Sequence, residues 1–130
     1  MRGVTYADAS ALVKLVVAEA DSDAMLRWFV ESERVLTSRV GIIETMRASS
    51  RREHDPEHRE TVLRDVEVIE VDVPITLAAA TVDPPLLRSL DAIHLASAMA
   101  LGPELDAFVT YDDRLAEAAR AVGLPVVRPA

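Results

Sequence analysis

The chain has 130 residues, 50% of them hydrophobic and 28% charged, a composition typical of a folded globular domain and not of a disordered segment. It contains no cysteine, which excludes disulfides and thiolate metal sites, and no apolar run long enough to cross a bilayer. Its net charge of −8 excludes a surface that is basic throughout, so contact with nucleic acid requires a local basic patch. We therefore expect a single domain over residues 1–130, located in the cytoplasm because residues 1–8 lack the apolar centre of a secretory signal.

Strand-like and helical patterns alternate along the chain. The predicted strands are residues 4–7, 35–37, 66–71, 107–111 and 126–128. The predicted helices are residues 10–19, 22–32, 40–52, 56–65, 74–81, 90–101 and 114–122. This alternation is typical of an α/β domain with a mainly parallel central sheet.

Asp8 stands between the first predicted strand and the first predicted helix. In parallel α/β sheets, ligands bind at the carboxyl ends of the strands, where loops lead into helices. Ser10, two residues later, is placed either to cap the helix or to hold the Asp8 carboxylate by a hydrogen bond. Because Asp is also a favoured N-cap residue, Asp8 has two interpretations, a site carboxylate and a simple cap.

Glu44 lies within the third predicted helix, where an ordinary interpretation is available. It has the i,i+3 spacing of a surface ion pair with Arg47, so its position alone does not indicate a function. A candidate basic patch follows it, formed by Arg47, Arg51 and Arg52 with Arg39 nearby. The simpler interpretation of this patch is a solvated helix face, whereas the bidentate fork of arginine favours phosphate recognition.

Asp91 begins an apolar helix, residues 90–101. A helix that is apolar almost all round is expected to be buried. A carboxylate is costly to bury unless it meets a cation or fixed donors, and the helix dipole compensates only about 0.3–1 kcal/mol. The position of Asp91 therefore favours a site role over capping. For His94, one turn later, we predict a structural hydrogen bond and no part in the site.

Asp112 follows a predicted strand as Asp8 does. The alternation of side chains in a strand predicts that Thr110 and Asp112 share a face, so that the hydroxyl supports the carboxylate. The neighbouring Asp113 competes for the same role. We assign the site role to Asp112 and the cap of the last helix to Asp113.

Four carboxylates gathered in one place repel each other unless a divalent cation lies between them. If the fold brings together Asp8, Glu44, Asp91 and Asp112, the chemistry is that of a metal-dependent hydrolase acting on phosphates. The sequence has no Gly-rich phosphate loop and no convincing Ser-His pair, which leaves water and a metal as the chemistry for such a cluster.

With these residues in place, the chain resembles the PIN-domain ribonucleases and, within them, the VapC-type toxins of toxin–antitoxin modules. Four segments carry the resemblance: YADASALVKL (6–15), ETMRA (44–48), LDAIHLASA (90–98) and VTYDDRL (109–115). Their order and spacing match along essentially the whole chain.

The resemblance implies a Rossmann-like α/β/α sandwich in which the four acids converge in one groove. It implies Mg²⁺ or Mn²⁺ held most directly by Asp8 and Asp91, with Glu44 and Asp112 completing the acidic cluster. The implied reaction is endonucleolytic hydrolysis of RNA by metal-activated water. The resemblance also implies a homodimer and a cognate VapB-type antitoxin whose tail lies over the groove. No membrane partner is expected, because the sequence has no apolar run long enough to span a bilayer.

Two other functions compete with this one. A catalytically silent PIN-like module that acts through protein partners would have the same fold, although such members usually lose one of the acids. A phosphoacceptor or phosphatase domain also places acids at strand ends. The stretch Asp8-Ala9-Ser10 lacks the second Asp of that phosphatase pattern, and the only lysine, Lys14, is not at a late strand end.

Overall fold

Five parallel strands form a single sheet in the computed structural model, which describes residues 2–130. The strands are β1 (Arg2–Ala7), β2 (Ser32–Ser38), β3 (Glu67–Ile69), β4 (Leu105–Val109) and β5 (Val126–Val127). Their order across the sheet is β3-β2-β1-β4-β5, and all four neighbouring pairs are parallel.

Within residues 2–130, seven α-helices connect the strands. They are α1 (Ala9–Val16), α2 (Ser22–Glu31), α3 (Arg39–Ser50), α4 (Pro56–Arg64), α5 (Val73–Thr81), α6 (Ser89–Met99) and α7 (Asp113–Ala121). A 3₁₀ turn, Gly102–Glu104, leads from α6 into β4. The predicted α/β/α class with a mainly parallel sheet is confirmed. Among the helices of residues 2–130, none is long and apolar enough to cross a membrane.

The predicted boundaries differ from the observed ones by up to three residues at the ends of several elements, among them the end of β4. This strand ends at Val109, whereas the sequence pattern extended it to residue 111. The reason is a change of hydrogen-bond partner, because the Tyr111 N–H donates to the hydroxyl of Ser10 at 2.8 Å and not to a neighbouring strand. Helix α1 is also shorter than predicted, since Val17 has an extended backbone that ends it at Val16.

The buried residues form one core on each side of the sheet. Neighbouring residues of a strand face opposite sides, so Ala7 of β1 packs in one core and Tyr6 in the other. The first core includes Leu12, and the second includes Phe108, which stacks on Tyr6 with ring centroids 5.3 Å apart. The sheet is therefore the central layer between two helical layers.

The order of the strands reverses between β1 and β4. The chain builds outward from β1 to β2 and β3, then returns to the other side of β1 as β4 and β5. Ala7 pairs with Val109, so β1 and β4 end at the same height. Such a reversal leaves a crevice at the carboxyl ends of the two strands, where α/β proteins bind their ligands.

Candidate active site

A cavity of about 280 Å³ lies at the carboxyl ends of β1 and β4. It is lined by ten residues: Asp8, Ala9, Ser10, Glu44, Arg88, Ser89, Leu90, Asp91, His94 and Asp112. All four acids singled out in the sequence are among them, although more than 100 positions separate the first from the last. The fold therefore brings these four side chains to one place.

Asp8 is buried and is also the N-cap of α1. Its Oδ1 accepts hydrogen bonds from the Ser10 hydroxyl at 2.6 Å and from the Ala11 N–H at 3.1 Å, and its Oδ2 accepts one from the Thr110 hydroxyl at 2.7 Å. Burial raises the pKa of the Asp8 carboxyl above its usual range, and these hydrogen bonds oppose that shift. The geometry therefore agrees with both interpretations of Asp8, as a cap and as a site carboxylate, because the same side chain caps α1 and lines the cavity.

Thr110 supports a different carboxylate from the one expected. The prediction that its hydroxyl supports the Asp112 side chain is wrong. The hydroxyl donates to Asp8, and it accepts a hydrogen bond from the Asp112 N–H at 3.1 Å. Because β4 ends at Val109, the side-chain alternation of a strand does not continue to residue 112.

Asp112, and not Asp113, caps the last helix. The Asp112 Oδ1 accepts hydrogen bonds from the N–H groups of Arg114 and Leu115 at 2.9 and 3.2 Å. Asp113 is the first residue of α7, and its side chain, 90% exposed, pairs with Arg128. The predicted cap was therefore wrong by one residue, while Asp112 lines the cavity.

Arg88 lies between two of the acids just before α6. Its guanidinium donates to Asp91 Oδ2 at 3.1 Å and comes within 3.5 Å of Asp112 Oδ2. Among residues 2–130, no group of three or more His, Asp or Glu side chains is arranged to hold a metal ion. Arg88 instead places one positive charge beside the two carboxylates, and it must turn away before an ion can reach both.

Glu44 contacts a buried histidine and not Arg47. Its Oε1 is 2.6 Å from Nε2 of His94, whose side chain is 2% exposed. The structural hydrogen bond predicted for His94 is present, and His94, which the sequence-based prediction left out of the site, also lines the cavity with Glu44. The signal in the sequence was its i,i+3 spacing from Asp91, which puts both residues on one helix face.

Gly41 lets α3 approach α6 closely enough for this contact. A Cβ at Gly41 would lie 2.1 Å from Thr37 Oγ1 and 3.3 Å from His94 Cε1. Gly41→Ala is therefore expected to destabilise the protein by about 1–3 kcal/mol through overpacking, although Ala is favoured over Gly in helices by about 1 kcal/mol. Chemical denaturation of this variant beside Arg47→Ala, an exposed position of the same helix, measures the effect. An unchanged or higher stability of Gly41→Ala would contradict the contact.

A wider groove of about 630 Å³ continues from the cavity and shares Glu44 with it. Four basic side chains line the groove: Lys14, Arg47, Arg51 and Arg52. Arg52 pairs with Glu19 at 2.7 Å, whereas Arg47 and Arg51 make no ion pair within residues 2–130. The groove is therefore the local basic surface that lies next to the acidic cavity.

The PIN domain profile matches residues 5–121 of the chain. Ribonuclease VapC35 of Mycobacterium tuberculosis (strain ATCC 25618 / H37Rv) is 44% identical over 131 residues, which cover 95% of this chain and 96% of the relative. Ribonuclease VapC47 of Mycobacterium tuberculosis (strain CDC 1551 / Oshkosh) is 37% identical over 130 residues, with 95% and 96% covered.

Solved structures show the same fold. The crystal structure of Mycobacterium tuberculosis VapC20, a Sarcin-Ricin loop cleaving toxin, has a TM-score of 0.73 at 20% identity and covers 96% of this chain and 99% of its own. The crystal structure of VapBC2 from Rickettsia felis, bound to a DNA fragment from their promoter, has a TM-score of 0.68 at 13% identity, with 98% and 99% covered.

Proposed function

The chain belongs to the PIN-domain family and, within it, to the VapC ribonucleases, and on this premise we propose that it is the toxin of a type II toxin–antitoxin module, a metal-dependent endoribonuclease. The observation that carries the proposal is the convergence of four carboxylates from separate segments on one cavity: Asp8, Glu44, Asp91 and Asp112. The relatives that cover 95% of its length are named ribonucleases, which supports the same reaction here.

The donors of the cavity fit a hard divalent cation. Mg²⁺ and Mn²⁺ prefer carboxylate oxygens, and all four acids supply them. Asp8, whose pKa is raised by burial, is a carboxylate whose charge a nearby cation would stabilise. Asp8 and Asp91 would hold the ion most directly. When bound, it would activate water and offset charge on the phosphoryl oxygens.

The protein's own contribution is to hold these acids in place. Ser10 and Thr110 fix both oxygens of Asp8, and the start of α7 fixes one oxygen of Asp112. Arg47 and Arg51 lie along the groove that leaves the cavity, where they would contact the phosphates of the RNA strand. These side chains would orient the substrate over the acids.

Arg88 is expected to compete with the cation. In Arg88→Gln, Mn²⁺ should bind up to about five-fold more tightly, because an exposed ion pair is worth about 0–1 kcal/mol and the Arg88 side chain is 63% exposed. Calorimetric titration of the RNA-free protein with Mn²⁺ measures this, with Arg64→Gln, which breaks an exposed pair with Glu60, as the matched control. Weaker Mn²⁺ binding by Arg88→Gln would show that Arg88 supports the ion.

Partners belong to the same proposal. The protein acts in the cytoplasm as one domain and as a homodimer, and the exposed apolar side chains of α5, Val73 and Leu77, support pairing with a second copy. A VapB-type antitoxin covers the groove and inhibits cleavage, with a basic side chain entering the acidic cavity. The molecular mass of the protein in solution, measured over a range of concentrations, tests for the homodimer. The same measurement with the protein encoded by a small adjacent reading frame tests for the antitoxin.

The function is tested with the purified chain and RNA. We expect cleavage in Mg²⁺ or Mn²⁺, loss of cleavage in EDTA, and recovery when the ion is restored, with the cut sites read by sequencing the RNA ends. Arg64→Gln, distant from the cavity, should cleave like the unaltered chain. A folded protein that neither binds Mn²⁺ nor cuts RNA would overturn the proposal and favour the alternative, a catalytically silent module that acts through protein partners.

A further inference from the structure

His94 uses both nitrogens of its ring although the ring is buried. Its Nε2 is 2.6 Å from Glu44 Oε1, and its Nδ1 is 2.7 Å from the hydroxyl of Tyr6. Glu44 and Tyr6 belong to different elements, α3 and β1, so the ring of α6 connects two parts of the fold. Because Glu44 lines the cavity and Tyr6 lies wholly in the core, His94 links the acidic site to the core.

The partners determine which nitrogen of His94 carries the proton. The Tyr6 hydroxyl accepts a hydrogen bond from the Ser38 N–H at 3.1 Å, so its own proton is available for Nδ1 of His94. Burial raises the pKa of the Tyr6 phenol well above its usual range, so the phenol keeps that proton. This arrangement leaves the proton of the neutral ring on Nε2, where it is donated to Glu44.

Packing prevents the ring from turning. Tyr6 meets His94 edge-on, with centroids 5.8 Å apart and planes at 76°, and stacks on Phe108 on its other side. Gly41 of α3 lies close to a further edge of the ring, since a Cβ built on Gly41 would be 3.3 Å from Cε1 of His94. Because the His94 ring is fixed, its Nε2 donor restricts the rotation of the Glu44 carboxylate.

We propose that His94 is a positioning residue for Glu44: it fixes one carboxylate oxygen by a hydrogen bond and leaves the other for the cavity, with Tyr6 holding the ring from behind. A free glutamate side chain has several rotatable bonds. If their rotation is restricted before the substrate binds, the catalytic step no longer carries that entropic cost. Neighbours that orient a site carboxylate commonly contribute 10- to 100-fold, roughly, to activity or metal affinity. This inference rests on the proposed function.

The kinetic test compares two substitutions of His94. We expect His94→Leu, which removes the donor, to lower kcat for RNA cleavage by about 10- to 100-fold with KM changed by less than about two-fold. His94→Gln, which keeps an N–H donor, should recover most of the loss. The double variant His94→Leu/Glu44→Gln should be no slower than Glu44→Gln alone, because His94 acts through Glu44. Additive losses, or no rescue by Gln, would overturn the inference.

Two further measurements cover the case in which His94→Leu does not fold. Tyr6→Phe removes only the hydroxyl behind the ring and should lower kcat a few-fold, roughly, with KM unchanged. A long-range ¹H–¹⁵N spectrum of the three histidines of the chain should show one ring, assigned by its loss in His94→Gln, protonated on Nε2. Protonation on Nδ1 alone would overturn the assignment without any measurement of activity.

Asp91→Asn separates the failure of this inference from the failure of the proposed function. If Asp91→Asn still cleaves RNA at the unaltered rate, the proposed metal-dependent hydrolysis at this cavity falls, and the inference about Glu44 falls with it. If Asp91→Asn is inactive while His94→Leu keeps the kcat of the unaltered chain, only the positioning role is overturned. Inactive Asp91→Asn with a slow His94→Leu that His94→Gln rescues supports both.

Discussion

Asp91→Asn should lower the rate of RNA cleavage by about 10³-fold or more, because a metal ion contributes several kcal/mol of transition-state stabilisation and each 1.36 kcal/mol is about tenfold in rate. Asn has the shape of Asp but lacks the charge that would hold the cation. Asp91 is buried in the cavity wall at the start of α6, so solvent cannot replace it. Cleavage by the purified variant and growth arrest after its expression both measure the loss.

The fold should survive this change. Within residues 2–130, Asp91 pairs only with Arg88, whose side chain is largely exposed, and such pairs contribute about 0–1 kcal/mol to the free energy of unfolding. Asp113→Asn is the matched control, because Asp113 is adjacent to a cavity acid but its side chain is 90% exposed. This variant should cleave RNA at the rate of the unaltered chain. A folded Asp91→Asn protein that cleaves RNA at the unaltered rate would remove Asp91 from the site.

Asp8→Asn should abolish cleavage and yet stabilise the metal-free protein. Burial raises the pKa of the Asp8 carboxyl in the folded state, so its contribution to stability is full below the unfolded pKa and is lost as pH rises through the folded pKa. Asn carries no charge and can still accept from Ser10 while donating to Thr110. We therefore expect Asp8→Asn to raise the free energy of unfolding near pH 8 by about 0.5–2 kcal/mol, the common range for stabilising substitutions.

Urea denaturation in EDTA at pH 5 and pH 8 measures this effect, and the gain from Asn should be larger at pH 8. Mn²⁺ should reverse the order, because a ligand at about 100 times its Kd stabilises the folded state by about 2.7 kcal/mol, and Asp8→Asn lacks the charge to bind it. A lower stability of Asp8→Asn than of the unaltered chain at both pH values in EDTA would contradict this prediction, because it would show that the Asp8 carboxylate stabilises the folded state.

The fold was largely predictable because its local signals agree with each other. Each strand run is short and contains valine, each helix follows a clear boundary, and their alternation leaves few topologies open. Errors lie at the ends of elements. The end of β4 at Val109 depends on hydrogen bonds to Asp8 and Ser10, which are about 100 positions away and invisible to a local pattern.

The site was predictable in its acids and not in their neighbours. Asp8, Asp91 and Asp112 stand out because a carboxylate beside an apolar run is costly, whereas Glu44 was singled out by the family resemblance. The structure places all four around one cavity, and their catalytic role stays a prediction. Arg88 is different, since an arginine before a helix has many possible partners. Its position between two carboxylates depends on where α6 and α7 begin relative to each other, which only the folded chain determines.

The central claim is that these four carboxylates share a divalent cation, and a crystal of the protein grown in Mn²⁺ tests it most directly. Anomalous scattering locates Mn²⁺ independently of the other atoms. We predict a peak in the cavity within ligand distance of Asp8 and Asp91, about 2.0–2.6 Å for carboxylate oxygens around hard divalent ions, with Arg88 turned away. Saturating Mn²⁺ with no peak in the cavity, and Arg88 still between Asp91 and Asp112, would contradict the account.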